Sequence, residues 1–246
     1  MAILAVENLS KAYDGVRALR GVSFAVDAGE LVGMIGPNGA GKTTCFNIVN
    51  GQIRPDAGEV RLEGKALTGL APRAIWRLGV GRTFQVAATF GSMSVRENVQ
   101  MALLSHQRML GSLVRRAETL LVPEAERLVA QVGMAEQADR PCSILAYGDL
   151  KRVELAVALA HRPRLLLMDE PTAGMAPEER EQLMSLAAQL ARRDGVAVLF
   201  TEHDMDVVFG FADRLIVLHG GELIAAGAPE QVRRDTRVRE VYLGDA

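Results

Sequence analysis

The hydrophobic and polar pattern of this chain predicts strands at the start, helices in the middle and a strand–helix alternation at the end. Ala2–Leu9 has strand character, Ser10-Lys11-Ala12-Tyr13-Asp14-Gly15 reads as a turn, and Gly21–Val26 reads as a second strand ending at Asp27-Ala28-Gly29. No helical period separates them, which predicts an antiparallel β portion. Leu31-Val32-Gly33-Met34-Ile35 is apolar throughout and reads as a buried strand, followed by a helix opening near Lys42 with Cys45, Phe46 and Ile48 on its apolar side. A strand over Gly58–Leu62, a turn at Glu63-Gly64, a short helix over Pro72–Leu78 and a strand over Gly81–Gln85 come next.

From about Val86 to Pro141 the period becomes helical. Ser94 and Glu97 have capping-box spacing and open a helix through Val99, Met101, Leu103 and Leu104. Pro123–Val132 predicts a second helix, and a third starts near Tyr147 and runs through Leu150, Val153, Val157 and Ala160. Leu165-Leu166-Leu167-Met168 is apolar at every position, the signature of a parallel strand covered on both faces. An amphipathic helix over Glu178–Arg193, a buried strand over Gly195–Thr201, a strand pair around Gly220-Gly221 and a helix from Pro229 complete the chain. The expected fold is α/β: a mainly parallel core (about 1–85 and 164–246), an N-terminal antiparallel β portion, and an inserted α-helical subdomain (about 86–163).

Composition narrows this picture mostly by exclusion. At 246 residues and 49% hydrophobic, the chain suits one large α/β domain or a domain with an insertion. A formal net charge of −2 gives no electrostatic case for nucleic acid or an acidic membrane surface. Cys45 and Cys142 are too few for a disulfide framework and lack metal-ligand spacing. No apolar run has the length of a membrane span, and the N-terminus lacks the basic start and apolar centre of a signal peptide. The expectation is a cytoplasmic protein whose membrane attachment, if any, comes through a partner.

The chemistry is concentrated in two places. Gly36-Pro37-Asn38-Gly39-Ala40-Gly41-Lys42-Thr43-Thr44 fits the phosphate-binding pattern G-x-x-x-x-G-K-[ST] between a strand and a helix. Glycines let successive backbone N–H groups turn inward as an anion nest, and the helix N-terminus adds its unpaired donors. Lys42 can neutralise the outer phosphates of a triphosphate, and the Thr43 hydroxyl can ligate Mg²⁺. The second place is the end of the Leu165 strand, where Asp169 and Glu170 stand at the edge at which open α/β sheets bind ligands. Asp169 can hold Mg²⁺ through water, and Glu170 can orient or deprotonate an attacking water. His203 follows the next strand and falls on the same edge. Tyr13 offers a flat face for adenine stacking, or simply a turn aromatic packed on the sheet. The helix start near Tyr147 offers another set of free N–H donors suited to a phosphate, or an ordinary helix end.

The order of these signals resembles the nucleotide-binding subunit of ABC transporters, over essentially the whole chain. Tyr13 matches the adenine-stacking aromatic, Gly36–Thr44 the Walker A loop and Gln85 the Q-loop glutamine, also a metal ligand. Leu145-Ala146-Tyr147-Gly148-Asp149 sits where the LSGGQ signature belongs, Asp169 ends the Walker B strand, Glu170 is the usual general base, and His203 is the switch histidine. Arg82-Thr83-Phe84-Gln85, Glu202-His203-Asp204-Met205 and the ending Val238–Gly244 look like the ATPase of branched-chain amino-acid importers. The resemblance implies ATP and Mg²⁺ as cofactors and a head-to-tail dimer with a second ATP-binding subunit, the same or different. Each ATP would meet Lys42 and Thr43 on one side and Tyr147 and Gly148 on the other. It also implies integral membrane permeases as partners, a periplasmic solute-binding protein acting indirectly, and a place on the inner face of the cell membrane. Ala146 departs from the signature serine, and Asp149 and Ala176 depart from the common residues of the signature and D-loop. The alternatives are the ATPase of a lipid or polysaccharide exporter, a soluble non-transport ABC ATPase, and a P-loop phosphotransferase.

Overall fold

A computed structural model describes residues 2–83, 89–109 and 120–243. Gln85, and the expected strand end at Phe84-Gln85, lie outside them. The chain opens with β1 (Ala2–Tyr13) and β2 (Val16–Asp27), paired antiparallel. Here the structure corrects the expectation that the turn spans Ser10 to Gly15: β1 continues to Tyr13, and the turn is Asp14-Gly15 alone. Both turn residues have positive φ, 47° and 87°, the geometry that matches the natural twist of a two-residue hairpin. Ser10 and Lys11 are kept in the strand by neighbours: Ser10 Oγ accepts from Gly21 N at 3.0 Å, and Lys11 pairs with Asp56 at 2.8 Å.

After β3 (Leu31–Ile35) and α1 (Lys42–Val49), β4 (Ala57–Leu62) and β5 (Lys65–Ala66) complete a four-stranded antiparallel sheet in the order β2-β1-β4-β5. Next come α2 (Pro72–Leu78), β6 (Val80–Thr83), α3 (Val95–His106), α4 (Val122–Gln131) and α5 (Tyr147–Leu159). The chain continues through β7 (Leu165–Asp169), α6 (Pro177–Asp194), β8 (Ala197–Thr201), α7 (Met205–Phe211), β9 (Arg214–His219), β10 (Glu222–Gly227) and α8 (Pro229–Arg234), and its described part ends in a short helix, α9 (Thr236–Val238), and a helical turn over Arg239–Leu243. The second sheet runs β10-β9-β3-β8-β7-β6, parallel except for β10 at its edge.

The uniform apolarity of the central strands has a direct explanation in two cores. Leu165 and Leu167 pack with Val32, Met34, Phe46 and the antiparallel sheet, whereas Leu166 and Met168 pack with α3, α4, α5 and α6. Alternate residues of one strand thus bury into opposite layers, and no position is left for a polar side chain. The helices α3, α4 and α5 share one continuous core with the sheet, because α5 lies against both. The α3 start carries the expected reciprocal cap, with Glu97 N donating to Ser94 Oγ at 3.2 Å and Ser94 N to the Glu97 carboxylate at 2.7 Å. Sheet order therefore brings the carboxyl ends of β3, β8 and β7 side by side, and these ends carry the candidate site.

Candidate nucleotide site

The loop from Gly36 to Thr44 leaves the end of β3 and enters α1. Its glycines answer specific contacts. A Cβ on Gly36, at φ 152°, would stand 2.1 Å from the backbone oxygen of Leu218, and one on Gly41, at φ 105°, would stand 2.5 Å from that of Ala18. The loop is thus wedged between β9 and the first hairpin, which is also tied to it through Arg20 N to Gly221 O and Gly221 N to Ala40 O. Asn38, Gly39 and Thr43 are exposed, and Pro37 is half-buried. Lys42 is 8% exposed and donates to the backbone oxygens of Gly36 at 2.6 Å and Pro37 at 3.2 Å. Its pKa is lowered by burial, against the upward pull of Glu170 and Asp169. The ammonium is therefore held within its own loop while feeling both carboxylates, the charge arrangement a phosphate group would complete.

Asp169 ends β7 half-buried, and its two oxygens are both engaged. Oδ2 accepts from Arg82 at 2.9 Å and Oδ1 from the Thr201 hydroxyl at 2.9 Å. Arg82 also donates to Asn47 at 2.7 Å and Gln52 at 3.0 Å, so it links the ends of β6, β7 and α1. Glu170 is in the left-handed region at φ 47°, its N–H bonded to Thr201 O and Oγ1, each at 3.1 Å. Its Oε1 stands 2.9 Å from His203 Nε2. Beneath them Glu202, 3% exposed, accepts from the backbone N and hydroxyl of Thr172 at 2.8 and 2.7 Å. Burial raises the Glu202 pKa, opposed by the bonds from Thr172 and His203. The oxygens of Asp169 and Thr43 are a hard donor set that fits Mg²⁺ rather than a softer metal.

The sequence-derived residues fall into two groups. Lys42, Asp169, Glu170 and His203 come together at the carboxyl edge of the sheet, with the Gly36–Thr44 loop. Tyr13 ends β1 at 42% exposure, with Lys11 Nζ 5.5 Å from its ring centre. Tyr147 and Gly148 open α5 in different surroundings. A Cβ on Gly148 would meet the Glu179 carboxylate at 2.6 Å, and one on Gly174 would meet the Tyr147 ring at 3.7 Å, whereas the loop's neighbours are Ala18, Leu19 and Leu218. Ala146, the α5 N-cap, supplies no side-chain acceptor to the helix start. Ala176 caps α6 through its backbone N alone, which donates to Glu179 at 3.1 Å.

Three residues in this network carry roles that pattern reading did not assign: Arg82, Thr201 and Glu202. Strand-end position was the available signal for Arg82 and Thr201. For Glu202, the signal was a carboxylate directly after a run of buried apolar residues.

Comparison with known proteins gives this geometry its context. The family model described as ABC transporter matches residues 19–173, and that of the branched-chain amino acid ATP-binding cassette transporter matches residues 222–246. The high-affinity branched-chain amino acid transport ATP-binding protein LivG of Salmonella typhimurium is 38% identical over 253 residues, covering 99% of this chain and 98% of LivG. BraF of Pseudomonas aeruginosa, of the same description, is 39% identical over 251 residues, with 99% and 98% covered. The lipopolysaccharide export system ATP-binding protein LptB of Haemophilus influenzae is 36% identical over 245 residues, with 100% and 98% covered. Among solved structures, the ADP conformation of the cassette MJ1267 superposes with a TM-score of 0.88 at 32% identity, covering all of both chains. A dimeric structure of the cassette MJ0796 with ADP and Pi gives 0.78 at 26% identity, covering 92% of this chain and 98% of that one. With a family model spanning more than half of its length and relatives matched end to end, this chain belongs to the ABC transporter family, as an ATP-binding, ATP-hydrolysing subunit closely related to those of branched-chain amino acid transport.

Proposed function

We propose that this subunit works as one half of a two-cassette motor that drives amino-acid import through membrane permeases. The observation that carries the reading is the 2.9 Å contact between Glu170 and His203, beside Asp169 and within the electrostatic reach of Lys42. In it, the Gly36–Thr44 backbone and Lys42 bind the phosphates of ATP, and Tyr13 stacks on the adenine. Thr43, Asp169 and Gln85 would hold Mg²⁺, which would supply neutralisation of phosphate charge. Glu170 accepts the proton of the water that attacks the γ-phosphorus, and His203 orients Glu170 and contacts the γ-phosphate.

The place of Tyr147 and Gly148 at the N-terminus of α5, where the helix dipole favours an anion, supports a role for them in binding the γ-phosphate of ATP held by a second cassette. One chain then contributes half of each of two sites. Ala146 lacks the hydroxyl that would add a bond to that phosphate, worth roughly 1.5–3 kcal/mol for a charge-assisted contact. Closure is relayed through the segment after Gln85 to the permeases, at the inner face of the membrane. Among the described residues no helix is long and apolar enough to cross a membrane itself. A periplasmic solute-binding protein would deliver the solute on the far side.

The match over residues 222–246 supports branched-chain amino acids as the solute class. The likeness to LptB keeps lipopolysaccharide or lipid export as the second reading. Glu170→Gln tests the core of the proposal. ATP binding should persist while hydrolysis slows by about 10²–10⁴-fold, and unchanged turnover would remove Glu170 as the base.

A further inference from the structure

We propose that Glu202 is a positioning residue that fixes the Glu170–His203 pair by tying the turn after Glu170 to the backbone of His203. The proposal rests on reading Glu170 and His203 as the hydrolytic pair. Three consecutive residues at the end of β8 engage the exit of β7. Thr201 receives the Glu170 N–H and donates its hydroxyl to Asp169. Glu202 Oε1 takes the Thr172 N–H at 2.8 Å and its hydroxyl at 2.7 Å, and Oε2 takes the His203 N–H at 3.3 Å. His203 then meets Glu170 at 2.9 Å. One carboxylate thus holds one residue from each side of the contact.

The backbone explains why such a tether is needed. Glu170 has φ 47°, a conformation in which its Cβ crowds the following carbonyl. A non-glycine residue stays there only where its flanks over-determine it. Thr201 fixes the N-terminal flank and Glu202 fixes the C-terminal one at Thr172, which is 1% exposed. Without Glu202, two buried Thr172 donors lose their acceptor, the turn has a reason to rearrange, and Glu170 can relax to an ordinary φ. Its side chain would then swing off His203. A carboxylate 3% exposed is an expensive choice for a mere filler, and its three donors account for it.

The test compares steady-state ATPase kinetics, affinity for a fluorescent ATP analogue and circular dichroism for Glu202→Ala, Glu202→Gln, Thr172→Val, Glu202→Ala/Thr172→Val and Glu170→Gln. Glu202→Ala should lower kcat on the order of 10²-fold, the scale of an ångström-level misplacement, with nucleotide affinity within about threefold of wild type. Glu202→Gln keeps an acceptor for Thr172 but turns an amide toward His203 N–H, so its kcat should lie between the two. The double variant should be no slower than Glu202→Ala alone, because both changes break one linkage. Wild-type kcat in folded Glu202→Ala overturns the proposal. So does a parallel fall of affinity and kcat in both Glu202 variants, the mark of a scaffold role. If Glu202→Ala does not fold, wild-type kcat in both Glu202→Gln and Thr172→Val overturns it equally. Fast turnover by Glu170→Gln would instead remove the hydrolytic pair itself, whereas slow Glu170→Gln beside normal Glu202 variants removes only the tether.

Discussion

Replacing Arg82 by Met separates the cost of an uncompensated buried charge from the cost of lost packing. Arg82 is 7% exposed and Asp169 15%, and they meet at 2.9 Å. Met keeps much of the unbranched apolar stem and removes the cation. Breaking a buried pair from one side costs about 3–5 kcal/mol. Asp169 retains the Thr201 hydroxyl and some water, which puts the expected loss near the lower end, about 3 kcal/mol. For a chain of this size, that corresponds to a fall in Tm of roughly 6–12 °C. Scanning calorimetry or urea unfolding followed by far-ultraviolet circular dichroism, both without nucleotide, would measure it. The double variant Arg82→Met/Asp169→Asn should recover a large part of the loss, since the orphaned charge leaves with its partner. A double variant no more stable than Arg82→Met would refute the electrostatic reasoning and assign the loss to packing and to the bonds with Asn47 and Gln52.

His161 makes stability depend on pH. Burial, with His106 nearby, lowers its pKa from 6.5 to about 4, and it packs on Trp76 with ring centres 4.8 Å apart. The unfolded chain therefore binds the extra proton between these values, so this contribution is complete above pH 6.5 and is lost as pH falls toward 4. It amounts to on the order of 3 kcal/mol. Trp76, the single tryptophan, reports unfolding, and an unchanged acid sensitivity in His161→Phe would contradict the assignment. In the phosphate loop, Gly39→Ala meets nothing within 4 Å and should cost only the conformational strain of φ 80°, about 1–2 kcal/mol. Gly36→Ala must push against the Leu218 carbonyl, so it should lower Tm several-fold more and weaken ATP binding; equal effects in the two variants would contradict the wedge.

The elements with the strongest local physics were legible in the sequence. Leu165–Met168 announced a strand covered twice, and its residues do divide between the two cores. Ser94 and Glu97 announced a helix start because the cap is a contact three residues long. The turn expected over Ser10–Gly15 is longer than the one formed, because the residues that keep Ser10–Tyr13 in a strand, Gly21 and Asp56, are distant in sequence. Pairing across the sheet was equally hidden. Nothing local tells that Arg82 reaches Asp169 across 87 positions, or that Glu202 reaches back 30 to Thr172. Strand order creates both contacts.

The central claim is that one molecule carries two complementary half-sites and that hydrolysis requires their joining across two molecules. ATP turnover per chain, measured over a range of protein concentrations alongside sedimentation velocity with Mg·ATP, tests it most directly. The account predicts that activity per chain rises with concentration together with the dimer fraction and vanishes where the chain is monomeric. Full-speed turnover by a chain that sediments as a monomer throughout would contradict it.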